Sequence, residues 1–256
     1  MSQLFSFRLF KRQFGGKENI HLFILAPPFS GSTLLAEVVA TSPNVSLNNE
    51  HDQKEGMLLP GGRALYGTFE QRWDPQYKYN WGKIYALWGR YWDFSKKILL
   101  EKSPPLIIRA EELQKRMRNP FFLILVRDPY AHIESLMRRR DWTAEKSAEY
   151  SMMCLKYQLH NATTLQNKHV VRYEDMTTNP VDFAQGLIKF LPQLQALNTE
   201  KLFTAHNFKN RKMKLVNLNE EKIDRINPSD LSKINQVLSK YHEELSFFGY
   251  GLLEAQ

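Results

Sequence analysis

The sequence predicts an α/β fold in which a P-loop-like parallel sheet is flanked by helices on both faces. Short, continuously apolar runs recur along the chain, each run stops at a polar or proline-rich cluster, and each cluster is followed by a helical pattern. Strands alternating with helices imply right-handed crossovers between parallel strands. Burial on both faces then explains why these runs are apolar throughout instead of alternating.

The first run is Ile20–Leu25 (IHLFIL), stopped by Pro27-Pro28-Phe29-Ser30-Gly31 and followed by a helix over 33–40. Residues 42–46 read as a short loop after that helix. The run at 98–100 ends at Glu101-Lys102-Ser103-Pro104-Pro105, and the run at 121–126 (FFLILV) ends at Arg127-Asp128-Pro129. A fourth, 169–172, ends at Tyr173-Glu174-Asp175, after which Asn179-Pro180 opens a helix at its N-cap and first turn. Helices are expected over 144–166, 182–190 and 230–247, the last closing on Gly249. In a parallel sheet of this kind all C-terminal strand ends share one edge, where ligands bind, so every polar cluster just named falls on that edge.

At 256 residues, 43% hydrophobic and 24% charged, the chain reads as one globular domain over 1–256 with no repeat or linker. Residues 1–18 mix phenylalanines with basic residues and read as a terminal arm packed on the domain, in preference to a basic face on a membrane. No apolar run approaches the roughly 18 residues of a transmembrane span, and no signal peptide is recognisable. The single cysteine, Cys154, sits among Met152, Met153 and Leu155 as a buried thiol, and a reducing, cytoplasmic setting is expected. The stretch 66–93 crowds ten aromatic residues between polar ones and reads either as an insertion forming a lid or acceptor pocket, or as aromatic core.

In Phe29-Ser30-Gly31-Ser32-Thr33 a strand turns into a helix through small residues, leaving backbone N–H groups and hydroxyls aimed beyond the helix N-terminus: an anion site. It is not the Walker pattern, whose second glycine and lysine are missing, which disfavours a nucleotide or nucleoside kinase. Arg127 follows a strand and Ser135 lies about two turns along the next helix, so guanidinium and hydroxyl can grip one phosphate together. The net charge of +8 suits an anionic ligand; nucleic acid would suit it too but is not the expected partner.

With these four clusters the chain resembles the sulfotransferases that use 3′-phosphoadenosine-5′-phosphosulfate (PAPS), in their carbohydrate, tyrosyl-protein and bacterial branches. The segment 28–34 looks like the family's 5′-phosphosulfate loop, and Arg127-Asp128-Pro129 with Ser135 like its 3′-phosphate site. Glu101-Lys102-Ser103-Pro104 is similar to the family's Glu-Lys-Thr-Pro segment, and Arg172-Tyr173-Glu174-Asp175 to its Arg-Tyr-Glu-Asp element near the adenine, which makes Tyr173 a cofactor contact. The resemblance implies sulfuryl transfer from PAPS to a hydroxyl or amine of a small-molecule or glycan acceptor, in line and without a metal. The seven histidines are scattered, which agrees.

One departure stands out. The family carries a lysine or arginine before Ser-Gly, where this chain has Phe29, so the charge-stabilising work passes to Lys102 or catalysis is weakened, leaving a nucleotide-binding protein without transferase activity as the alternative. For the base that takes the acceptor proton the resemblance points to Glu50, with His51 and Asp52 as neighbours. His206, Lys209 and Arg211 fall where family members fold a loop over the 3′-phosphate, although the usual glycines are missing there. Whether the aromatic stretch stacks on sugar or encloses an aromatic alcohol, and whether the acceptor is anionic, the sequence leaves open.

Overall fold

The computed structural model describes residues 19–51, 53–204 and 212–254; the expected arm over 1–18, Asp52 and the segment containing His206, Lys209 and Arg211 lie outside them. Among the described residues the strands β1 (Ile20–Leu25), β2 (Val45–Leu47), β3 (Ile98–Glu101), β4 (Pro120–Val126) and β5 (Lys168–Arg172) form one sheet in the order β2-β3-β1-β4-β5. Every pairing is parallel, with Phe23 beside Phe122 and Leu22 beside Leu100.

The two-residue period of a strand sorts these apolar runs onto two cores. Phe23, Leu25, Leu99, Phe122 and Ile124 face one side, while Leu22, Ile24, Leu100, Leu123 and Leu125 face the other. Helix α1 (Ser32–Val39) covers the second face, together with α8 (Tyr173–Thr178) and α9 (Pro180–Phe190). The first face is covered by α2 (Gly62–Leu65), α3 (Phe69–Trp73), α4 (Trp81–Gly89), α5 (Ala110–Arg116), α6 (Pro129–Arg140) and the long α7 (Ala144–Thr164). Helices α10 (Asn219–Ile223), α11 (Pro228–Leu238) and α12 (His242–Phe247) return along α6 and α7.

The structure differs from the sequence reading in three places. Part of the 42–46 loop is strand: β2 is only three residues long, and the Ser-Pro-Asn turn before it masks it. The helix expected over 230–247 is two helices, α11 and α12, because the Lys240 and Tyr241 N–H groups bond three residues back, to Val237 and Leu238, and tighten the chain into a turn. The apolar spacing runs on across that turn, which is why it read as one helix. The strand stops before Tyr173 as expected, but Tyr173 begins a short helix, α8, ahead of the one opened by Asn179-Pro180.

Most of the aromatic stretch is core. Tyr66, Tyr79, Trp81, Tyr85, Trp88 and Trp92 are buried, and Trp88 meets Phe23 and Trp92 at ring centroid distances of 6.2 and 5.6 Å. Phe69 and Trp73 on α3 are only partly buried and turn toward the C-terminal edge of the sheet.

The ends of β1 and β4 are tied together from α7. The buried Gln158 amide donates to the carbonyls of Leu25 and Leu125 at 2.7 and 2.9 Å, filling two acceptors at the point where the sheet opens into loops. Gln158→Leu takes one donor from each of these buried carbonyls, and urea denaturation is expected to show a loss of about 3 kcal/mol with an unchanged denaturant slope.

Candidate active site

Between β1 and α1 the loop turns through two left-handed residues, Phe29 at φ 65° and Gly31 at φ 97°. For Phe29 this conformation is strained, and the surroundings hold it. The Ser30 hydroxyl donates to the Pro27 carbonyl at 2.7 Å, and His132 grips the Pro28 carbonyl at 2.9 Å through Nε2. That bond places the His132 proton on Nε2, so Nδ1 accepts from Ser151 at 2.8 Å. Burial pushes the His132 pKa down to about 3, so the ring braces the loop as a neutral group. Among the described residues no side chain caps α1, which leaves its first N–H groups available to an anion. Ser32 is buried in that first turn, and the Thr33 hydroxyl donates to the Gln53 carbonyl at 3.2 Å.

Arg127 stands at the end of β4 and is 4% exposed. Its Nε donates to Asn219 Oδ1 at 2.8 Å, its Nη1 lies 3.4 Å from the Phe29 carbonyl, and its Nη2 is buried with no partner among the described residues. The guanidinium carbon lies 3.8 Å from the centre of the Tyr173 ring. Tyr173 also packs so closely on Gly31 that a Cβ there would stand 2.6 Å from the ring, which explains the glycine. Its hydroxyl donates to the Val216 carbonyl at 3.1 Å. The ring thus meets Gly31 and Arg127 directly. Asp128 does not pair with Arg127; it caps α6 by accepting from the N–H groups of Tyr130 and Ala131. Glu174 links the two, accepting from the Asp128 N–H and from the Asn219 amide.

Ser135 is fully buried and is joined by a residue that the sequence reading did not single out. Lys222 of α10, 3% exposed, donates from Nζ to Ser135 Oγ at 2.6 Å. Removal from water, and next the nearby Arg127 charge, lower its pKa to about 6. In the sequence Asn219-Glu220-Glu221-Lys222 looks like a solvated helix face, so nothing marks this lysine before α10 packs on α6. Arg127, Ser135 and Lys222 come from separate segments and gather a guanidinium, an amine and a hydroxyl where burial disfavours positive charge. An anion with several acceptor oxygens fits this cluster, and the unpartnered Nη2 of Arg127 is ready to meet it.

At the end of β3, Lys102 is buried, its Nζ donating to the Gln53 carbonyl and lying 3.2 Å from Glu55 Oε1. Its partner is therefore Glu55, not the adjacent Glu101. Burial lowers the Lys102 pKa. Glu101 is bonded by Ser103 and Asn48, and burial lifts its pKa to about 7 despite those bonds. Glu50 and His51 are exposed; the Glu50 carbonyl accepts from Lys54. Glu55, by contrast, is buried and lines a cleft of about 460 Å³ together with Phe29, Gln53 and Pro104. Phe69, Arg72 and Trp73 of α3 and the end of α6 form another part of its wall. The structure thus brings the Phe29 loop and the Lys102 segment to one cleft, gathers Arg127, Ser135 and Tyr173 beside it, and leaves Glu50 outside the described lining. Among the described residues no group of three or more His, Cys, Asp or Glu side chains is placed to hold a metal ion, and no helix is long and apolar enough to cross a membrane.

A family model described as "Sulfotransferase family" matches residues 21–193. Among solved structures, the sulfotransferase domain of the Synechococcus PCC 7002 olefin synthase is 17% identical, with 95% of this chain and 98% of that one covered and a TM-score of 0.57. A sulfotransferase from Alicyclobacillus acidocaldarius is 13% identical over 86% of this chain and 96% of that one, with a TM-score of 0.49. No curated protein matches the sequence. The Synechococcus domain shares the fold; Lys222 lies beyond the residues matched by the family.

The burial of Lys222 has a measurable cost. Its folded-state pKa of about 6 lies below the ordinary 10.5, so across that window the unfolded chain binds the extra proton and stability rises with pH. Lys222→Met removes this contribution: in urea denaturation from about pH 6 to about pH 9 the wild type should gain stability relative to the variant, and the variant should be the more stable protein near pH 6.

Proposed function

The chain belongs to the sulfotransferase family and is a sulfotransferase, and from that premise we propose that it takes the sulfuryl group from PAPS and delivers it to a hydroxyl of a small-molecule acceptor. The observation that carries the choice of donor is the buried cluster of Arg127, Ser135 and Lys222, with the Arg127 Nη2 lacking a partner among the described residues. These groups fit the 3′-phosphate of PAPS, as the uncapped start of α1 with Ser32 and Thr33 fits its 5′ side. The Walker lysine is missing from the loop, which separates this reading from a kinase.

PAPS, when bound, supplies a sulfuryl group already activated by a phosphate leaving group. The protein's part is positioning and charge. Tyr173 and Asn219 hold the Arg127 guanidinium in place, and Gly31 lets the loop approach that ring. Glu55 serves as the base for the acceptor proton, because its carboxylate is buried against the cleft whereas Glu50 is exposed. Its pairing with Lys102 couples the two roles. Once Glu55 takes a proton, the Lys102 ammonium loses its counter-charge and is free to stabilise negative charge developing on the leaving phosphate, the work that Phe29 cannot do.

Calorimetric titration with 3′-phosphoadenosine-5′-phosphate tests the donor site. Arg127→Ala should weaken binding more than tenfold, about 1.4 kcal/mol, and absence of binding to the wild type would remove PAPS as donor. An anion on Lys222 raises its lowered pKa, so near neutral pH binding should take up a proton, seen as heat that changes with the buffer's ionisation enthalpy and vanishes in Lys222→Met. In transfer from labelled PAPS to a panel of alcohols and phenols, Glu55→Gln should lose about 100-fold or more in kcat and Glu50→Gln little; the reverse result would return the base to Glu50.

A further inference from the structure

The cleft beside the Phe29 loop is strongly and one-sidedly charged. Arg63, Arg72, Arg139 and Arg140 line it, and among its described lining residues the sole carboxylate is Glu55, which pairs with Lys102 at 3.2 Å. Arg63, Arg139 and Arg140 are exposed and Arg72 is half-buried, so together they give the open cleft a positive field.

Two of these arginines are held in position. Arg72 Nε and Nη2 donate to the carbonyls of Thr68 and Gly67 at 3.0 and 2.9 Å, which fixes the guanidinium at the start of α3. The Arg140 guanidinium lies 5.5 Å from the Phe29 ring, 5.4 Å from Phe69 and 5.9 Å from Trp142, held by aromatic faces. A fixed guanidinium binds an oxyanion with little further loss of side-chain freedom. Arg72 stands on the same wall as Phe69 and Trp73, whereas Arg127, Ser135 and Lys222 form their own buried cluster. A volume of about 460 Å³ suits a small molecule.

We propose that the acceptor is a small hydroxyl compound that already carries a carboxylate, sulfate or phosphate group, its anion met by Arg72 and Arg140 and its body lying against Phe69 and Trp73. This rests on the sulfotransferase reading of the cleft and names the chemical class of its acceptor. Phe29 gains a second meaning: where the family has a cation, this chain has a ring that helps hold Arg140 on the acceptor side of the loop.

The test compares phenols of similar size, two anionic and one neutral. Protein saturated with 3′-phosphoadenosine-5′-phosphate is titrated with 4-hydroxybenzoate, 4-hydroxyphenyl phosphate and the neutral methyl 4-hydroxybenzoate. The two anions should bind at least tenfold more tightly than the ester, and the preference should shrink in high salt. Arg72→Ala should abolish the preference while leaving the titration with 3′-phosphoadenosine-5′-phosphate unchanged, and Arg72→Lys should keep part of it. The inference is overturned if the ester binds as well as the anions, if none of the three binds, or if Arg72→Ala weakens the nucleotide as much as the anionic probes, since the arginines would then serve the donor. Failure of the nucleotide to bind at all is a separate result: it defeats the PAPS assignment, while titration of the free protein with the same three probes still reads the cleft.

Discussion

A guanidinium taken out of water at the end of a central strand must be met by acceptors, and Arg127 draws them from across the molecule. Asn219 reaches it from α10, the Phe29 carbonyl from the loop after β1, and the Tyr173 ring from the start of α8. Glu174 then ties Asn219 to the Asp128 N–H, and Tyr250 closes the circuit on Glu174 at 3.0 Å. The C-terminal helices are thus fastened to the sheet edge through the same network that aims Arg127. One nitrogen of the guanidinium has no partner among the described residues, and a buried donor of that kind is costly until an acceptor meets it.

Lys222 extends the same logic. Holding a lysine against Ser135 and close to Arg127 opposes folding, and a site that accepts this cost gains affinity for an anion that relieves it. On the other side of the loop the cleft arginines follow a parallel rule, with aromatic rings and backbone carbonyls taking the place of carboxylates as their supports. Between the two lies the strained turn at Phe29, kept in shape by His132, whose lowered pKa keeps it neutral over the working pH range. The loop is therefore held by neutral hydrogen bonds and leaves its electrostatics to its neighbours.

Much of this was legible before any coordinates. The runs at β1, β3, β4 and β5 could be found because both faces of a parallel sheet are buried, which makes such strands apolar without interruption. The loop at 29–33 and the pair Arg127 and Ser135 could be found because strand-to-helix turns put their small and basic residues on the same edge. Other features were hidden for identifiable reasons. β2 is too short to carry a pattern, and the turn between α11 and α12 preserves the helical spacing of its apolar residues. The aromatic stretch looked the same as core or as pocket wall, since a buried ring and a pocket-lining ring have the same composition.

What the sequence determined by itself was local: which segments are strands, where they stop, and which residue types wait at their ends, since period and punctuation act over a few neighbours. Tertiary packing decided which distant side chains share a site. Lys222 meets Ser135 across 87 positions, Arg127 meets Asn219 across 92, and Glu55 meets Lys102 across 47. An exposed lysine and a buried one are spelled alike; only tertiary packing takes Lys222 out of water and sets it beside Ser135 and Arg127.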